Sequence, residues 1–202
     1  MGGREEREAV ARLKRGEIGG LETLVRRHHL RAVRAAYLVV GDRGLAEEIA
    51  QSAFVKAYER IGSFDPSRPF GPWFSRIVIN DSITVASGRK KTVYLDELRG
   101  PTGLLDPEPG PQERAERSDE ERRVRRALEE LPPAQRGAVV QRYFLGMSEA
   151  EMAQHGGAPP GTIKSRLHAA RRSLAKMLGP RLLATPAVGR ADQDPREAKD
   201  AR

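Results

Sequence analysis

The sequence contains no cysteine. Disulfides, thiolate metal sites and thiol nucleophiles are therefore excluded. Aromatic residues make up only 5% of the chain. No apolar run is long enough to cross a bilayer, and the opening stretch MGGREEREAV lacks the apolar core of a signal peptide. A cytoplasmic protein is the expectation. Strand-like alternation of any length is missing, and so is any repeat on the scale of about 20–50 residues. Catalytic signatures are missing too. There is no Walker A loop, no GxGxxG and no HExxH, and none of His28, His29, His155 and His168 lies beside a nucleophile-elbow serine. His28 and His29 are adjacent, so on a helix they point to different faces and do not suit a metal. The chain is expected to be no enzyme and to need no cofactor or metal.

What is present is positive charge. Lys and Arg total 36 against 28 Asp and Glu, a net charge of +8 over 202 residues. That length permits one or two small domains, and the charge favours an anionic partner such as nucleic acid or an anionic membrane surface. The hydrophobic share, 38%, is low. Part of the chain is therefore expected to lie outside any packed core.

The stretch 159–178 is the most informative. Pro160 suits a first helical turn, where no N–H is needed. Ile163, Leu167, Ala170, Leu174 and Met177 recur at helical spacing. The rest of the helix carries Lys164, Arg166, Arg171, Arg172 and Lys176, with Thr162, Ser165 and His168 among them and no carboxylate. Taken alone, this is a solvated basic face on a surface helix. What precedes it changes the balance. Ser148 and Glu151 form a Ser-x-x-Glu capping box opening a short helix through His155, and Gly156-Gly157-Ala158 breaks that helix. A short helix, a glycine-containing turn and a basic second helix make a helix-turn-helix pattern. Ile163, Leu167 and Ala170 must face the core, which leaves Lys164, Ser165 and His168 for base edges and Arg166, Arg171 and Arg172 for phosphates.

From about Arg4 to Lys91 the chain reads as successive helices. Val10 and Leu13 mark a short first one, ended near Gly16. A second runs from Leu21 through Val40. Asp42 can cap a third, striped by Ala46, Ile49, Ala50, Ala53, Phe54, Ala57 and Ile61. After a loop over 62–69, Phe70, Trp73, Phe74, Ile77 and Val78 stripe a fourth. The β-branched run Ile77-Val78-Ile79 argues mildly for strand, and the aromatic spacing outweighs it. Residues 98–112 hold four prolines and three glycines with little periodicity, which reads as a flexible linker. Helix resumes near Ser118, with Val124, Leu128 and Leu131 inward. The next helix begins at Pro133 and uses Val139, Val140, Tyr143 and Phe144. Two features of the N-terminal half suggest contacts. Glu47, Glu48 and Gln51 form an acidic edge, either for solubility or for docking a basic partner. Phe64, Phe70, Trp73 and Phe74 interleave with Arg68 and Arg76, which suits single-stranded nucleic acid, although Trp73 and Phe74 read better as core.

Three stretches resemble the extracytoplasmic-function (ECF) sigma factors of bacterial RNA polymerase. The first is Asp42-Arg43 with Ala46-Glu47-Glu48-Ile49-Ala50-Gln51 and Phe54. The second is Phe64-Asp65-Pro66, Arg68-Pro69-Phe70, Trp73, Arg76-Ile77 and Asn80. The third is Leu131-Pro132-Pro133-Ala134-Gln135-Arg136, Gly146-Met147-Ser148 and Gly161-Thr162-Ile163-Lys164-Ser165-Arg166-Leu167 with Ala170-Arg171. The resemblance implies an all-α chain of two small helical domains. A four-helix region two would span 5–91, a flexible linker 92–117 and a helix-turn-helix region four 118–178. The tail, 179–202, is expected to be disordered, and the two domains are expected to pack independently.

By the same resemblance the chain would bind core polymerase at the clamp helices of the largest subunit and at the flap. Asp42, Glu47, Glu48, Gln51 and Phe54 would carry the clamp contact. The minus-ten element would be opened and read by Phe64, Arg68, Phe70, Arg76, Asn80, Arg89, Lys90 and Lys91. The minus-thirty-five element would meet Thr162, Lys164, Ser165, Arg166, His168, Arg171 and Arg172. The linker would thread toward the polymerase active centre, and an anti-sigma factor is an expected partner. The chain departs from the family pattern at Thr84, Gly137, His155-Gly156, Pro159 and Ala169. The loss of an apolar pair at His155-Gly156 implies a less tightly packed region four, and Ala169 removes one possible base contact. A stand-alone helix-turn-helix regulator is the alternative, and it would need its own affinity for duplex DNA.

Overall fold

Capping chemistry sets where the helices begin and end. Asp42 precedes α3 (Arg43–Arg60), and its carboxylate accepts the Leu45 amide at 3.0 Å. Gly41 closes α2 (Gly19–Val40) at φ 74°, where its N–H reaches the Tyr37 carbonyl. A side chain would be strained in that left-handed turn. The reciprocal box expected at Ser148 and Glu151 is present: the Glu151 amide donates to Ser148 Oγ at 3.2 Å and the Ser148 amide to Glu151 Oε2 at 2.8 Å. It opens α7 (Glu149–Gly156). Pro160 occupies the first position of α8 (Pro160–Leu178).

The computed structural model describes residues 2–92, 111–156 and 158–179. It is helical, with no strand among the described residues. The expected tail and most of the expected linker lie outside them, as do the side chains of Arg89, Lys90 and Lys91, although helix α4 (Phe70–Thr92) runs through their backbone.

In the N-terminal half, α1 (Gly2–Lys14) presents Ala9, Val10 and Leu13 to α2 and α4, at a core containing Leu24, Ala36, Ile49, Phe54, Phe70 and Phe74. The β-branched run is helical, and Val78 and Ile79 are wholly buried. Burying such a side chain yields about 1.5–3 kcal/mol, against a helix-propensity cost of less than about 0.7 kcal/mol, so packing wins.

The C-terminal half comprises α5 (Pro111–Glu129), α6 (Pro133–Val139) with a π turn over Val140–Phe144, then α7 and α8. Helix α5 begins earlier than Ser118. Ile163 and Leu167 of α8 pack with Met152 of α7 and Met147, while Ala170 and Leu174 pack with Leu128, Leu131 and Val139. Two expected core residues face outward instead: Tyr143 is 58% exposed and Met177 38%. The turn at 140–144 is wider than an α-turn, which rotates Tyr143 off the apolar stripe.

The halves do not pack independently. Ala35 and Val39 of α2 and Ile79 and Ala86 of α4 share a cluster with Val140, joined by Ile83, Phe144 and Leu145. Arg136 is buried, and its guanidinium donates to the Val39 carbonyl at 2.6 Å and the Leu131 carbonyl at 3.1 Å. Arg31 reaches the Leu145 carbonyl at 2.9 Å, and Arg125 the Tyr37 hydroxyl at 2.8 Å.

Candidate nucleic-acid interface

The aromatic cluster and the cations around it resolve into two layers. Phe64 and Phe70 are only 3% and 2% exposed. Phe70 stacks on Phe74 at 5.6 Å, and Phe64 meets Trp73 at 4.9 Å. The rings expected to offer open π-faces at Phe64 and Phe70 are therefore mostly core, because the loop folds them back onto α1 and α4. Trp73, expected in the core, is half-buried and forms part of a cleft wall. The loop itself is braced by Asp65, whose carboxylate accepts the Ser67 amide at 2.9 Å and the Ser67 hydroxyl at 2.7 Å. These bonds hold the Asp65 carboxyl below the usual range.

Over this layer lies an open cleft of about 450 Å³. Lys56, Arg60, Arg68 and Arg76 outnumber the carboxylates of Asp65 and Asp81 in its lining, Trp73 supplies an aromatic wall and Asn80 an exposed amide. Helix α4 places Trp73, Arg76 and Asn80 one turn apart on one edge, as the spacing predicts. Lys56 and Arg60 come from α3, and sequence reasoning missed both. Their signal was a basic pair at i, i+4 on the flank of the Ala53–Ala57 stripe. Lys56 is steadied by Asp81, Nζ to Oδ2 at 2.8 Å. Such a cleft offers cations for phosphate, a π-face for an unstacked base and an amide for a base edge.

On α8, Ile163, Leu167, Ala170 and Leu174 are buried, and Lys164, Ser165, His168, Arg171 and Arg172 are exposed. The division of faces is as expected except at Arg166, which is half-buried, and Thr162, which is half-buried at the first turn. Ser165 Oγ donates back to the Thr162 carbonyl at 3.0 Å, which leaves its oxygen free to accept. Arg171 lies 3.7 Å from Glu149 across the helix-turn-helix, a loose surface pair.

On α3, Glu48 and Gln51 are exposed, Glu47 is half-buried and paired with Arg43 at 3.1 Å, and Asp42 is engaged in capping. Phe54, expected on this docking face, is 5% exposed and stacks on Phe74 at 4.3 Å, so its ring belongs to the core. Instead Val55, 56% exposed, and Tyr58, 38% exposed, continue the surface of Glu48 and Gln51. The steps of three and four from Glu48 would have found them.

These features match known proteins. Family models described as Sigma-70 region 2 and Sigma-70, region 4 match residues 24–92 and 121–174. The chain is 31% identical over 186 residues to the RNA polymerase sigma-H factor of Pseudomonas aeruginosa, covering 88% of this chain and 96% of that one. It is 34% identical over 186 residues to the ECF RNA polymerase sigma factor SigM of Mycobacterium tuberculosis, covering 89% of each. Among solved structures, CnrH in complex with the cytosolic domain of CnrY is similar in fold, with a TM-score of 0.61 at 24% identity, covering 86% of this chain and 97% of that one. The sigma factor RpoE of Bartonella quintana, in complex with the anti-sigma factor NepR, aligns with a TM-score of 0.56 at 23% identity over 77% and 96%. The chain belongs to the ECF RNA polymerase sigma factors. It is a transcription initiation factor that directs RNA polymerase to promoters, and it is not an enzyme.

Proposed function

We propose that the cleft between α3 and α4 takes an unstacked base of the minus-ten element. The observation that carries this reading is the convergence of Asn80, Trp73 and four cations on one open cleft. Asn80 reads the base edge, Trp73 stacks or bounds it, and Lys56, Arg60, Arg68 and Arg76 hold the strand's phosphates. Arg89, Lys90 and Lys91, later in the sequence of α4, are proposed as further phosphate contacts.

Helix α8 enters the major groove at the minus-thirty-five element. Lys164, Ser165 and His168 meet bases, and Arg166, Arg171 and Arg172 supply phosphate contacts, with the α8 N-terminus at Thr162 beside the backbone. The α3 surface of Glu48, Gln51, Val55 and Tyr58 docks on the clamp helices of the polymerase largest subunit, and region four reaches the flap. An anti-sigma factor is a further partner, in keeping with the complexes in which similar folds have been solved. The work takes place with the polymerase in the cytoplasm; no described helix is long and apolar enough to cross a membrane.

Run-off transcription tests the reading. Core polymerase with this chain should initiate from a subset of genomic promoter fragments, and core alone should not. A chain that binds promoter duplex by itself and adds nothing to core polymerase would instead be a stand-alone regulator.

A further inference from the structure

The loop over 62–69 is a wall with a hollow on each side. On one side lies the candidate minus-ten cleft, to which Phe64, Asp65 and Arg68 contribute. On the other lies an open pocket of about 260 Å³ between the loop and α1, lined by Arg7 and Val10 of α1 and by Phe64, Pro66, Arg68 and Pro69. Packing behind the loop is therefore incomplete. Apolar contact alone does not fix how far the loop stands from α1.

One polar contact spans the gap. Lys14, the last residue of α1, donates from Nζ to the Phe64 carbonyl at 2.7 Å, across 50 positions of sequence. Phe64 is buried, so its carbonyl needs a partner within the protein. The donor is an ammonium, and a charge-assisted bond is shorter and stronger than a neutral one. It holds the loop next to Asp65. There the Asp65 carboxylate accepts the Ser67 amide at 2.9 Å, and the Asp65 carbonyl accepts the Arg68 amide at 3.1 Å. The Asp65 carboxyl is held low first by Ser67, and the charges of Arg68 and Lys14 act in the same sense. A displacement at Lys14 would pass through Phe64 and Asp65 to Arg68, which stands in the cleft.

We propose that Lys14 is a positioning residue for promoter reading: its ammonium, on the Phe64 carbonyl, sets where the 62–69 loop stands against the cleft and thereby which base the cleft accepts. It touches no DNA and acts as a strut from α1. This inference rests on the reading of the cleft as a minus-ten site for what the loop controls, not for the strut itself.

The test compares the full chain in wild type, in Lys14→Met, which keeps a long side chain without its charge, and in Lys14→Arg, which keeps a charged donor. Amide hydrogen exchange in the free chain reads the loop at Ser67 and Arg68, and the core at Leu24 and Val78. Open complexes with core polymerase are then selected from a library in which the minus-ten element of a promoter recovered by run-off with this chain is randomised. In Lys14→Met, exchange at Ser67 and Arg68 should rise about tenfold while Leu24 and Val78 stay unchanged, as for one lost charge-assisted bond in a local unit. The preference for the best over the worst base at the position that depends on Asn80 should fall about tenfold, the scale of one lost base contact, with affinity for core polymerase unchanged. Lys14→Arg should restore both. Unchanged exchange at Ser67 and Arg68, or a rise shared by Leu24 and Val78, would overturn the strut. A loosened loop with an unaltered minus-ten preference, where Asn80→Ala does alter it, would overturn its part in selection. If neither variant alters the preference, the strut stands and it is the DNA reading of the cleft that fails.

Discussion

At the scale of the residue, Asn80 is the sharpest commitment. It is exposed, its backbone carbonyl accepts Thr84 Oγ1 at 2.9 Å, and its side chain lines the cleft. Asn80→Ala should leave closed-complex formation intact and reduce open complexes, read as weaker permanganate reactivity at the minus-ten element. Equal reactivity would remove Asn80 from strand opening. On α8, Lys164→Ala and His168→Ala should each cost about 1–3 kcal/mol on a selected minus-thirty-five site and less on scrambled DNA, whereas Arg172→Ala should weaken both alike and flatten the salt dependence. His28 makes a different kind of prediction. Its ring lies against Phe70 and Phe74, with Nε2 2.8 Å from Glu6 Oε2. Burial pushes its pKa below the ordinary value of 6.5, against the pull of Glu6. Glu6 is shared with Arg27 at 3.1 Å, so its carboxylate offers less to the imidazole than the short contact suggests. The neutral ring is the one the fold prefers. Its contribution is therefore complete above 6.5 and is lost as pH falls through the lowered folded value. The urea midpoint should drop between about pH 7.5 and about pH 5.5, and drop less in His28→Gln, since only histidine titrates there when unperturbed.

At the scale of the element, α3 does two things at once. Its inner face, Ala46, Ile49, Ala50, Ala53, Phe54 and Ala57, is small apart from Ile49 and Phe54, which lets α2 and α4 approach. Its outer face keeps Glu48, Gln51, Val55 and Tyr58 available. Because the core contacts are on the other side, Glu48→Ala with Gln51→Ala should leave the thermal midpoint nearly unchanged and weaken assembly with core polymerase. The loss should be about 1–3 kcal/mol if the contact is desolvated and far less at a rim. A titration showing unchanged affinity for core would move the docking face elsewhere. Helix α8 is organised on the same plan, with a buried stripe of Ile163, Leu167, Ala170 and Leu174 and charge elsewhere. In both helices a period of 3.6 separates what holds the fold from what can meet a partner.

At the scale of the whole molecule, the two halves are joined by more than chain connectivity. Val39, Ile79 and Val140 are buried together, and three arginines reach across: Arg31, Arg125 and Arg136. Limited proteolysis should cut first in the stretch 98–112, whose four prolines and three glycines read as a linker, and the two fragments should then co-elute in size-exclusion chromatography. Gly137→Glu should make them separate. Fragments that part at once in the wild type would show that the joint is too weak to matter in solution.

Much of this was legible in the chain itself. The caps at Asp42 and Ser148, the stop at Gly41 and the stripe of α8 are local patterns, and local hydrogen bonds with a helical period decide them. The exposed Lys164, Ser165 and His168 follow from the same arithmetic. Tertiary structure alone settled which aromatics are core. Phe54, Phe64 and Phe70 carry no local mark that separates a buried ring from an offered one, because that depends on where the 62–69 loop folds. The wide turn that exposes Tyr143 was likewise invisible, since it arises from packing rather than propensity. The contact between the halves was the largest omission. Gly137 stands out in the sequence only as a departure from the family pattern, and the Ile79 and Ile83 atoms opposite it show that a side chain there would make Ile83 give way.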